Sequence, residues 1–132
     1  MKIEILGDDC IVHIGARTTN TGICKLSCRE KKTRIIIGED CLLANNVMIL
    51  TSDGHDIYEN NMRINYAADI IIKNHVWLAE NVMILKGVSI GSDCVIGANS
   101  VVTGQHDKNT IAAGNPAKTI KKNISWNERL TY

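Results

Sequence analysis

An aliphatic residue recurs at every sixth position through much of the chain, in two series separated by one interruption. Nine positions carry this period: Ile37, Leu43, Ile49, Ile72, Leu78, Ile84, Ile90, Ile96 and Val102. Seven of them are followed four residues later by a second apolar or small residue, at Cys41, Val47, Val76, Val82, Val88, Cys94 and Ser100. Because residues two apart in a strand point to the same face, each unit predicts a short strand with two inward side chains, followed by a turn.

The turn of each unit has a restricted composition. In seven units the residue three positions after the aliphatic one is Gly, Asn, Asp or His, at Asp40, Asn46, His75, Asn81, Gly87, Asp93 and Asn99. These residue types tolerate positive φ best, so each turn is predicted to bend one strand sharply into the next. Three units then make a triangular coil of about 18 residues, and stacked coils pair their strands in parallel. The period leaves the hand of the coil open, and the general rule for crossovers is right-handed.

Both ends of the chain depart from this period. Residues 3–36 carry it only in fragments, although KTRIII (Lys32–Ile37) is typical of a strand, and we expect irregular opening coils there. Residues 119–130 have few strand features and are predicted to form a short helix that covers the parallel edge of the last coil. We therefore expect one all-β domain over residues 1–132, a parallel β-helix with a C-terminal helical cap.

Composition narrows the classes of function. A formal net charge of +1 gives no support for nucleic acid as a partner. No run approaches the roughly 18 apolar residues of a membrane span, and the N-terminus lacks the apolar segment of a signal peptide, so we expect a cytoplasmic protein. Five cysteines, an odd number, argue against a disulfide framework. Cys24 and Cys28 have no second pair or nearby histidine that would complete a zinc site.

The period is interrupted at Thr51–Asn61, TSDGHDIYENN. Asp53 takes the place of an inward apolar residue, and His55 follows where the chain leaves the coil. Residues 55–71 fall outside the phase, and long excursions from compact domains are usually functional. Histidine suits general base catalysis because its ordinary pKa lies near working pH. We expect the chemistry to be located at this interruption.

The chain resembles the hexapeptide-repeat acyltransferases. The stretch DIIIKNHVWLAENVMILKGVSIGSDCVIGANSVVTG (Asp69–Gly104), followed by AAGNPAKTIKK (Ala112–Lys122), is similar to the galactoside, maltose and xenobiotic acetyltransferase group. SDGH together with MRIN (Met62–Asn65) is most similar to the capsule and lipopolysaccharide sugar O-acetyltransferases within that group. The resemblance implies a left-handed β-helix, a homotrimer with intersubunit active sites, and acetyl-CoA-dependent O-acetylation of a sugar or cell-surface glycan precursor.

The resemblance also implies a role for individual residues. His55 is the expected general base toward an acceptor hydroxyl, and Asp53 either orients its imidazole, binds the acceptor or is a simple turn residue. Arg63 and Asn65 are expected to bind the acceptor. The expected contacts to acetyl-CoA, the co-substrate, are Trp77, Ala79, Glu80, Ala98, Thr103, Lys118, Lys121 and Lys122. Among these, a backbone N–H near Ala79 or Glu80 would bind the pantetheine arm or the thioester oxygen.

Trp77 and the two lysines among these expected CoA contacts also have expected positions. Trp77 falls between two inward residues and therefore points outward, where it would border the active site. Lys121 and Lys122 would meet the phosphates of CoA, although Gly104 stands where many relatives have a lysine. No metal is expected.

Three alternatives remain open at this level. Amino-sugar N-acetylation is the nearest enzymatic one. A metal enzyme like the γ-class carbonic anhydrases requires three histidines that meet across a subunit boundary, and His55, His75 and His106 lack that spacing. A non-catalytic scaffold predicts no binding of CoA. The identity of the acceptor does not follow from the sequence.

Overall fold

The computed structural model describes all residues, 1–132, and consists of strands and turns without any helix. Eighteen strands follow one another: β1 (Lys2–Leu6), β2 (Ile11–Ile14), β3 (Thr19–Asn20), β4 (Cys24–Arg29), β5 (Arg34–Ile37), β6 (Leu42–Leu43), β7 (Val47–Leu50), β8 (Tyr58–Glu59), β9 (Met62–Arg63), β10 (Ile70–Ile72), β11 (Trp77–Leu78), β12 (Met83–Ile84), β13 (Ser89–Ile90), β14 (Val95–Ile96), β15 (Val101–Val102), β16 (Gln105–His106), β17 (Thr110–Gly114) and β18 (Ala117–Lys122). No helix that could span a bilayer is present.

Three sheets form the sides of a triangular prism. Sheet A has the order β1-β4-β7-β12-β15, sheet B β16-β13-β10-β5-β2, and sheet C β18-β17-β14-β11-β6-β3. All pairs within them are parallel except β17 with β18. The chain passes from A to B to C in each coil, and we call the three stacks of turns the A–B, B–C and C–A corners. The predicted parallel solenoid is confirmed.

The inward side chains are the ones that the six-residue period predicts. All nine aliphatic positions, and the seven residues four positions after them, are at most 1% exposed. Register stacks them in columns, so that Leu78 pairs with Leu43 on one side and with Ile96 on the other. The narrow interior is filled by Ile, Leu, Val and Cys, which agrees with the absence of Phe from the chain.

The turns also have the predicted backbone. The seven predicted positions have φ between 54° and 80°. At the C–A corner, three of these turn residues are asparagines in successive coils. The Nδ2 of Asn46 donates to Asn81 Oδ1 at 2.8 Å, and the Nδ2 of Asn81 donates to Asn99 Oδ1 at 2.9 Å. Each asparagine therefore supplies both the left-handed turn and a contact between coils.

Substituting Asn81 separates these two contributions. Asn81→Ala is expected to lower the free energy of unfolding by about 1 to 2 kcal/mol. Alanine is disfavoured in the left-handed conformation, and the two side-chain hydrogen bonds of Asn81 are lost. Asn81→Gly loses the same hydrogen bonds but accepts positive φ, so its loss is expected to be smaller. Urea unfolding of the two variants checks this, and equal losses would contradict a strained turn at position 81.

The opening coils are regular, so the expectation of irregular coils over residues 3–36 is wrong. Strands β1 to β5 pair in continuous register, with Ile3 beside Leu26 and Val12 beside Ile35. Here the partners lie 23 residues apart, as in Lys2 with Lys25. Later coils have partners 18 residues apart, as in Met83 with Val101. The longer coil explains why a search for the six-residue period fails in this part of the chain.

The predicted helix over residues 119–130 is also wrong. Strand β18 instead pairs antiparallel with β17, whose outer edge would otherwise present unpaired backbone groups. Only Ala117 of β18 is buried. The tail beyond it folds over sheet C, where the Trp126 ring stacks on His75 at 4.0 Å and its Nε1 donates to the His75 carbonyl at 2.8 Å.

Candidate active site

One long excursion leaves the coil at the A–B corner. It begins after β7 and ends before β10, so it starts slightly earlier than the predicted 55–71, and it carries the hairpin β8–β9. Its root is closed by the Ala68 N–H, which donates to the Thr51 carbonyl at 3.1 Å. The buried Thr51 hydroxyl accepts the Arg29 N–H at 2.9 Å and is 3.1 Å from the Arg29 carbonyl. The coil below therefore anchors the excursion at Thr51, and Ala68 ties the other end to the same residue.

Asn65 ties the interior of the excursion together. Its Nδ2 donates to Asp53 Oδ2 at 2.9 Å and to the His55 carbonyl at 2.8 Å, and its Oδ1 accepts the Ile57 N–H at 2.8 Å. The residue is 6% exposed. Its amide is thus engaged within the chain, and the contact to the acceptor that the resemblance implied stays a prediction.

Asp53 faces a lysine from the next coil. The Nζ of Lys86 lies 2.8 Å from Asp53 Oδ2, the oxygen that also accepts from Asn65. The hydrogen bond from Lys86, followed by that from Asn65, lowers the pKa of the Asp53 carboxyl below its usual value. Asp53 is therefore an anion with one oxygen committed, and Oδ1 accepts no hydrogen bond from the chain. Lys86 was not among the residues that the sequence indicated.

Arg63 is paired with two carboxylates of its own chain. Its guanidinium makes a bidentate contact with Glu30 at 2.8 and 2.9 Å, and its Nε is 3.0 Å from Asp56. The hydrogen bond from Arg63 lowers the pKa of Glu30. The guanidinium also lies 4.6 Å from the centroid of the Tyr66 ring. Its charge is thus balanced within the chain, so it forms a wall of the site and offers no unpaired cation.

Two polar cavities adjoin this wall. The first, of about 340 Å³, is lined by Leu6, Arg29, Glu30, Ser52, Gly54, Asp56 and Arg63, so it includes both chain neighbours of His55 but not His55 itself. The second, of about 490 Å³, is lined by Glu30, Lys31, Thr33, Arg63, Tyr66 and Ala67. Both volumes fall in the range of small-molecule sites.

His55 stands at the root of the excursion with a fixed backbone and a free ring. Its carbonyl accepts from Asn65 at 2.8 Å, and its side chain is exposed and makes no hydrogen bond within the chain. Gly54 precedes it with φ of +90°, a conformation that side chains rarely adopt. An exposed imidazole with two unpartnered nitrogens is suited to accept a proton from a bound hydroxyl.

The residues expected to contact CoA through the backbone lie at a different corner. Ala79, Glu80 and Ala98 stand at the C–A corner, with Glu80 and Ala98 in successive coils. The N–H of Ala79 donates to the Ile96 carbonyl at 3.0 Å, so Ala79 cannot supply the predicted donor. The N–H groups of Glu80 and Ala98 make no hydrogen bond within the chain. The available donors at this corner are therefore positions 80 and 98.

The remaining predicted residues are spread over the surface of the prism. Trp77 points outward from sheet C as predicted, but it is half-buried, because Trp126 from the tail lies 5.8 Å away and helps to enclose a cavity of about 200 Å³. Lys118, Lys121 and Lys122 are exposed on β18. Thr103 is exposed at the A–B corner, two coils beyond Asp53. One protomer therefore does not bring all the predicted residues together.

The histidines outside the excursion are engaged elsewhere. His75 has φ of 54°, as predicted for a turn residue, and its Nδ1 is 2.8 Å from Asp93 Oδ1. His106 is buried, and its Nε2 lies 2.9 Å from the Thr103 carbonyl. No three His, Cys, Asp or Glu side chains lie close enough together to hold a metal ion.

Comparisons with known proteins agree with this architecture. Residues 69–104 match the family described as "Bacterial transferase hexapeptide (six repeats)", and residues 34–51 match "Hexapeptide repeat of succinyl-transferase". Polysialic acid O-acetyltransferase from Escherichia coli O1:K1 / APEC is 50% identical over 97 residues, which are 72% of this chain and 32% of that protein. This chain therefore spans about a third of the length of that relative.

Solved structures show the same fold over nearly the whole chain. The polySia specific acetyltransferase NeuO has a TM-score of 0.75 at 32% identity, covering 97% of this chain and 70% of that chain. Galactoside acetyltransferase in complex with coenzyme A has a TM-score of 0.59 at 27% identity, covering 92% and 66%. The coil is thus the left-handed parallel β-helix, against the general right-handed rule for crossovers, and the chain belongs to the hexapeptide-repeat acyltransferase family.

Proposed function

We propose that this protein transfers the acetyl group of acetyl-CoA to a hydroxyl of a sugar or cell-surface glycan precursor. The observation that carries the proposal is the exposed His55 side chain, whose backbone Asn65 holds at the root of the excursion, two residues after the ionised Asp53. Family membership supports acyl transfer, and the names of the relatives, polysialic acid O-acetyltransferase and galactoside acetyltransferase, support a glycan acceptor. The structure named as a complex with coenzyme A supports the acyl donor.

In this proposal His55 is the general base. The neutral imidazole takes the proton of the acceptor hydroxyl as its oxygen attacks the thioester carbonyl carbon. The tetrahedral intermediate then collapses, the carbon–sulfur bond breaks, and the imidazolium returns the proton to the CoA thiolate. The free N–H of Glu80 or Ala98 would donate to the thioester oxygen or to the pantetheine amides, because neither has a partner in the chain. The cavity of about 340 Å³ that Gly54 and Asp56 help to line would hold the acceptor.

We further propose that the complete site lies between protomers of a homotrimer. The base is at the A–B corner and the free N–H groups are at the C–A corner, on opposite sides of sheet A. Strand β7 alone has four residues, which span about 13 Å. A thioester cannot contact both corners of one protomer at once, whereas the A–B corner of one protomer can face the C–A corner of the next.

Complementation between inactive variants tests this arrangement. His55→Ala removes the base, and Ala98→Trp is expected to block the C–A corner with a bulky ring. Co-expressed as differently tagged chains, the two variants are expected to regain part of the wild-type activity, because mixed trimers contain some sites with both corners intact. Light scattering of the same sample is expected to give the mass of a trimer. A monomeric mass, or no regained activity in confirmed mixed oligomers, would contradict a shared site.

We place the protein in the cytoplasm, because its five cysteines are all free thiols, which is typical of a reducing compartment.

The test of the function is a screen of glycan acceptors with acetyl-CoA. Release of the CoA thiol is followed by colour, with His55→Ala in parallel. Acceptor-dependent release that the variant loses is the expected result. Hydroxylamine treatment of the product cleaves an O-acetyl ester and spares an N-acetyl amide, which decides between the two acetyltransferase readings. Thiol release that does not depend on His55 would overturn the mechanism, and calorimetry without any CoA binding would favour a scaffold.

A further inference from the structure

Lys86 belongs to the coil that follows the excursion, and it reaches back to the root of the excursion. Its Nζ is 2.8 Å from Asp53 Oδ2, and this oxygen also accepts the Asn65 amide at 2.9 Å. The same amide nitrogen donates to the His55 carbonyl at 2.8 Å. Lys86 is 29% exposed at its side chain, and Asp53 33%. A continuous series of polar contacts therefore runs from Lys86 through Asp53 and Asn65 to the backbone of His55.

We infer that Lys86 is a positioning residue for His55: it holds one oxygen of Asp53 so that the other can accept the imidazole N–H, and it offsets the negative charge of that carboxylate. The inference rests on the proposed role of His55 as the base. The positioning role of Lys86 follows from its contact with Asp53.

The free groups at this point are complementary. Asp53 Oδ1 accepts no hydrogen bond in the chain, and both nitrogens of the His55 ring lack partners. Gly54 between them has φ of +90°, and a Cβ placed on it would have only Arg29 Nη1 nearby, at 3.9 Å. The space at the Cα of Gly54, between the two residues, is therefore open. Because Oδ2 is already occupied by Lys86 and Asn65, Oδ1 is the acceptor that Asp53 has left.

The charges around this pair come from three elements. The excursion contributes Asp56 and Arg63, the coil below contributes Arg29 and Glu30, and the coil above contributes Lys86. Arg63 is balanced by Glu30 and Asp56, and Arg29 is balanced by Glu4 at 2.6 Å. Lys86 is thus the cation that balances Asp53 itself.

This balance matters because the base must be neutral before it reacts. An unbalanced carboxylate would favour the protonated imidazole in the resting enzyme, and a protonated imidazole cannot accept a proton. With Lys86 present, Asp53 can still orient the ring while the electrostatic bias toward protonation is smaller. Removing the lysine charge should therefore move proton release from His55 to higher pH, and removing the carboxylate should move it to lower pH.

The test is a direct titration of the histidine rings by NMR in the purified full chain, with His55→Gln to identify the His55 signal. Lys86→Met is expected to raise the titration midpoint of His55, because the positive charge that offsets Asp53 is lost. Asp53→Asn is expected to lower it, and the double variant should lie between the two. Lys86→Arg keeps the charge and should stay near the wild type, and Lys73→Met is the control for an exposed lysine at another corner.

Activity provides the second readout. In Lys86→Met the acid limb of the kcat/KM profile should move in the same direction as the NMR midpoint, with kcat more affected than KM. An unchanged midpoint in a variant with wild-type circular dichroism and proton chemical shifts would overturn the inference, even if activity falls. The titration needs no acceptor, so the proposed function can fail while this result stands, and the reverse also holds.

Discussion

Replacing His55 with alanine is expected to lower kcat for acetyl transfer by about 10²- to 10⁴-fold, the usual contribution of a general base. The exposed ring makes no hydrogen bond within the chain, so its loss removes the proton acceptor without removing a structural hydrogen bond. The affinity for CoA should change little, because the expected cofactor contacts lie at other positions. Steady-state kinetics of thiol release, together with calorimetry of CoA binding, measures both quantities on the same preparation.

His13→Ala is the matched control for this substitution. His13 is also an exposed histidine, in β2 of the opening coils, and the variant should retain wild-type kcat. A similar loss in both variants would indicate that removal of any surface histidine harms the protein. Full activity in His55→Ala would require a different base and would remove the proposed role of the excursion.

Replacing Leu43 with alanine is expected to lower the free energy of unfolding by about 2 to 5 kcal/mol, the range for deletion of a fully buried leucine. Leu43 is fully buried in β6, between β3 and Leu78 of β11. Columns of stacked side chains have no loose neighbours that could close the cavity, so the loss should lie well within this range. Urea unfolding monitored by circular dichroism gives the value.

The adjacent Leu42 offers the same substitution on the opposite face of the same strand. It is half-buried and points outward beside Trp77. Leu42→Ala should cost less than half as much as Leu43→Ala in the isolated chain. Measuring both at two protein concentrations separates the core from a subunit contact, because only a contact between protomers makes stability depend on concentration. Equal, concentration-independent losses would contradict the assignment of the two faces.

The sequence predicts those features that depend on local chemistry. Inward burial from Ile37 to Val102 follows from a strict six-residue period, and the left-handed turns follow from residue types such as Asn81 that accept positive φ. The place of the excursion is equally visible, because Asp53 breaks a series that is otherwise apolar. In each case one short stretch contains all the information that is needed.

Other features depend on partners that are distant in sequence. The 23-residue spacing of the first coils lies outside any search for the six-residue period, although the coil pairs as regularly as the rest. The contact of Lys86 with Asp53 becomes predictable only when the register of β7 with β12 is known, because that register places Lys86 next to the root of the excursion. Likewise, the hydrogen bond from the Ala79 N–H to the Ile96 carbonyl becomes predictable only when the neighbouring coil of Ala79 is known.

The tail was mispredicted for a related reason. The helix over residues 119–130 is predicted from the lack of strand features in the sequence. The conformation of β18 depends instead on the outer edge of β17, with which it pairs. The Trp126 ring stacks on the ring of His75, which lies 51 positions earlier in the chain. No local propensity encodes such a contact.

The hydrogen bond between Ala68 N–H and the Thr51 carbonyl has an evolutionary consequence. At 3.1 Å it brings both ends of the excursion to one point on the prism, so the strands before and after it keep their alignment whatever lies between. Residues can be gained, lost or exchanged in this segment without displacing any layer of the core. The sequence of the excursion can therefore diverge rapidly while the scaffold remains unchanged.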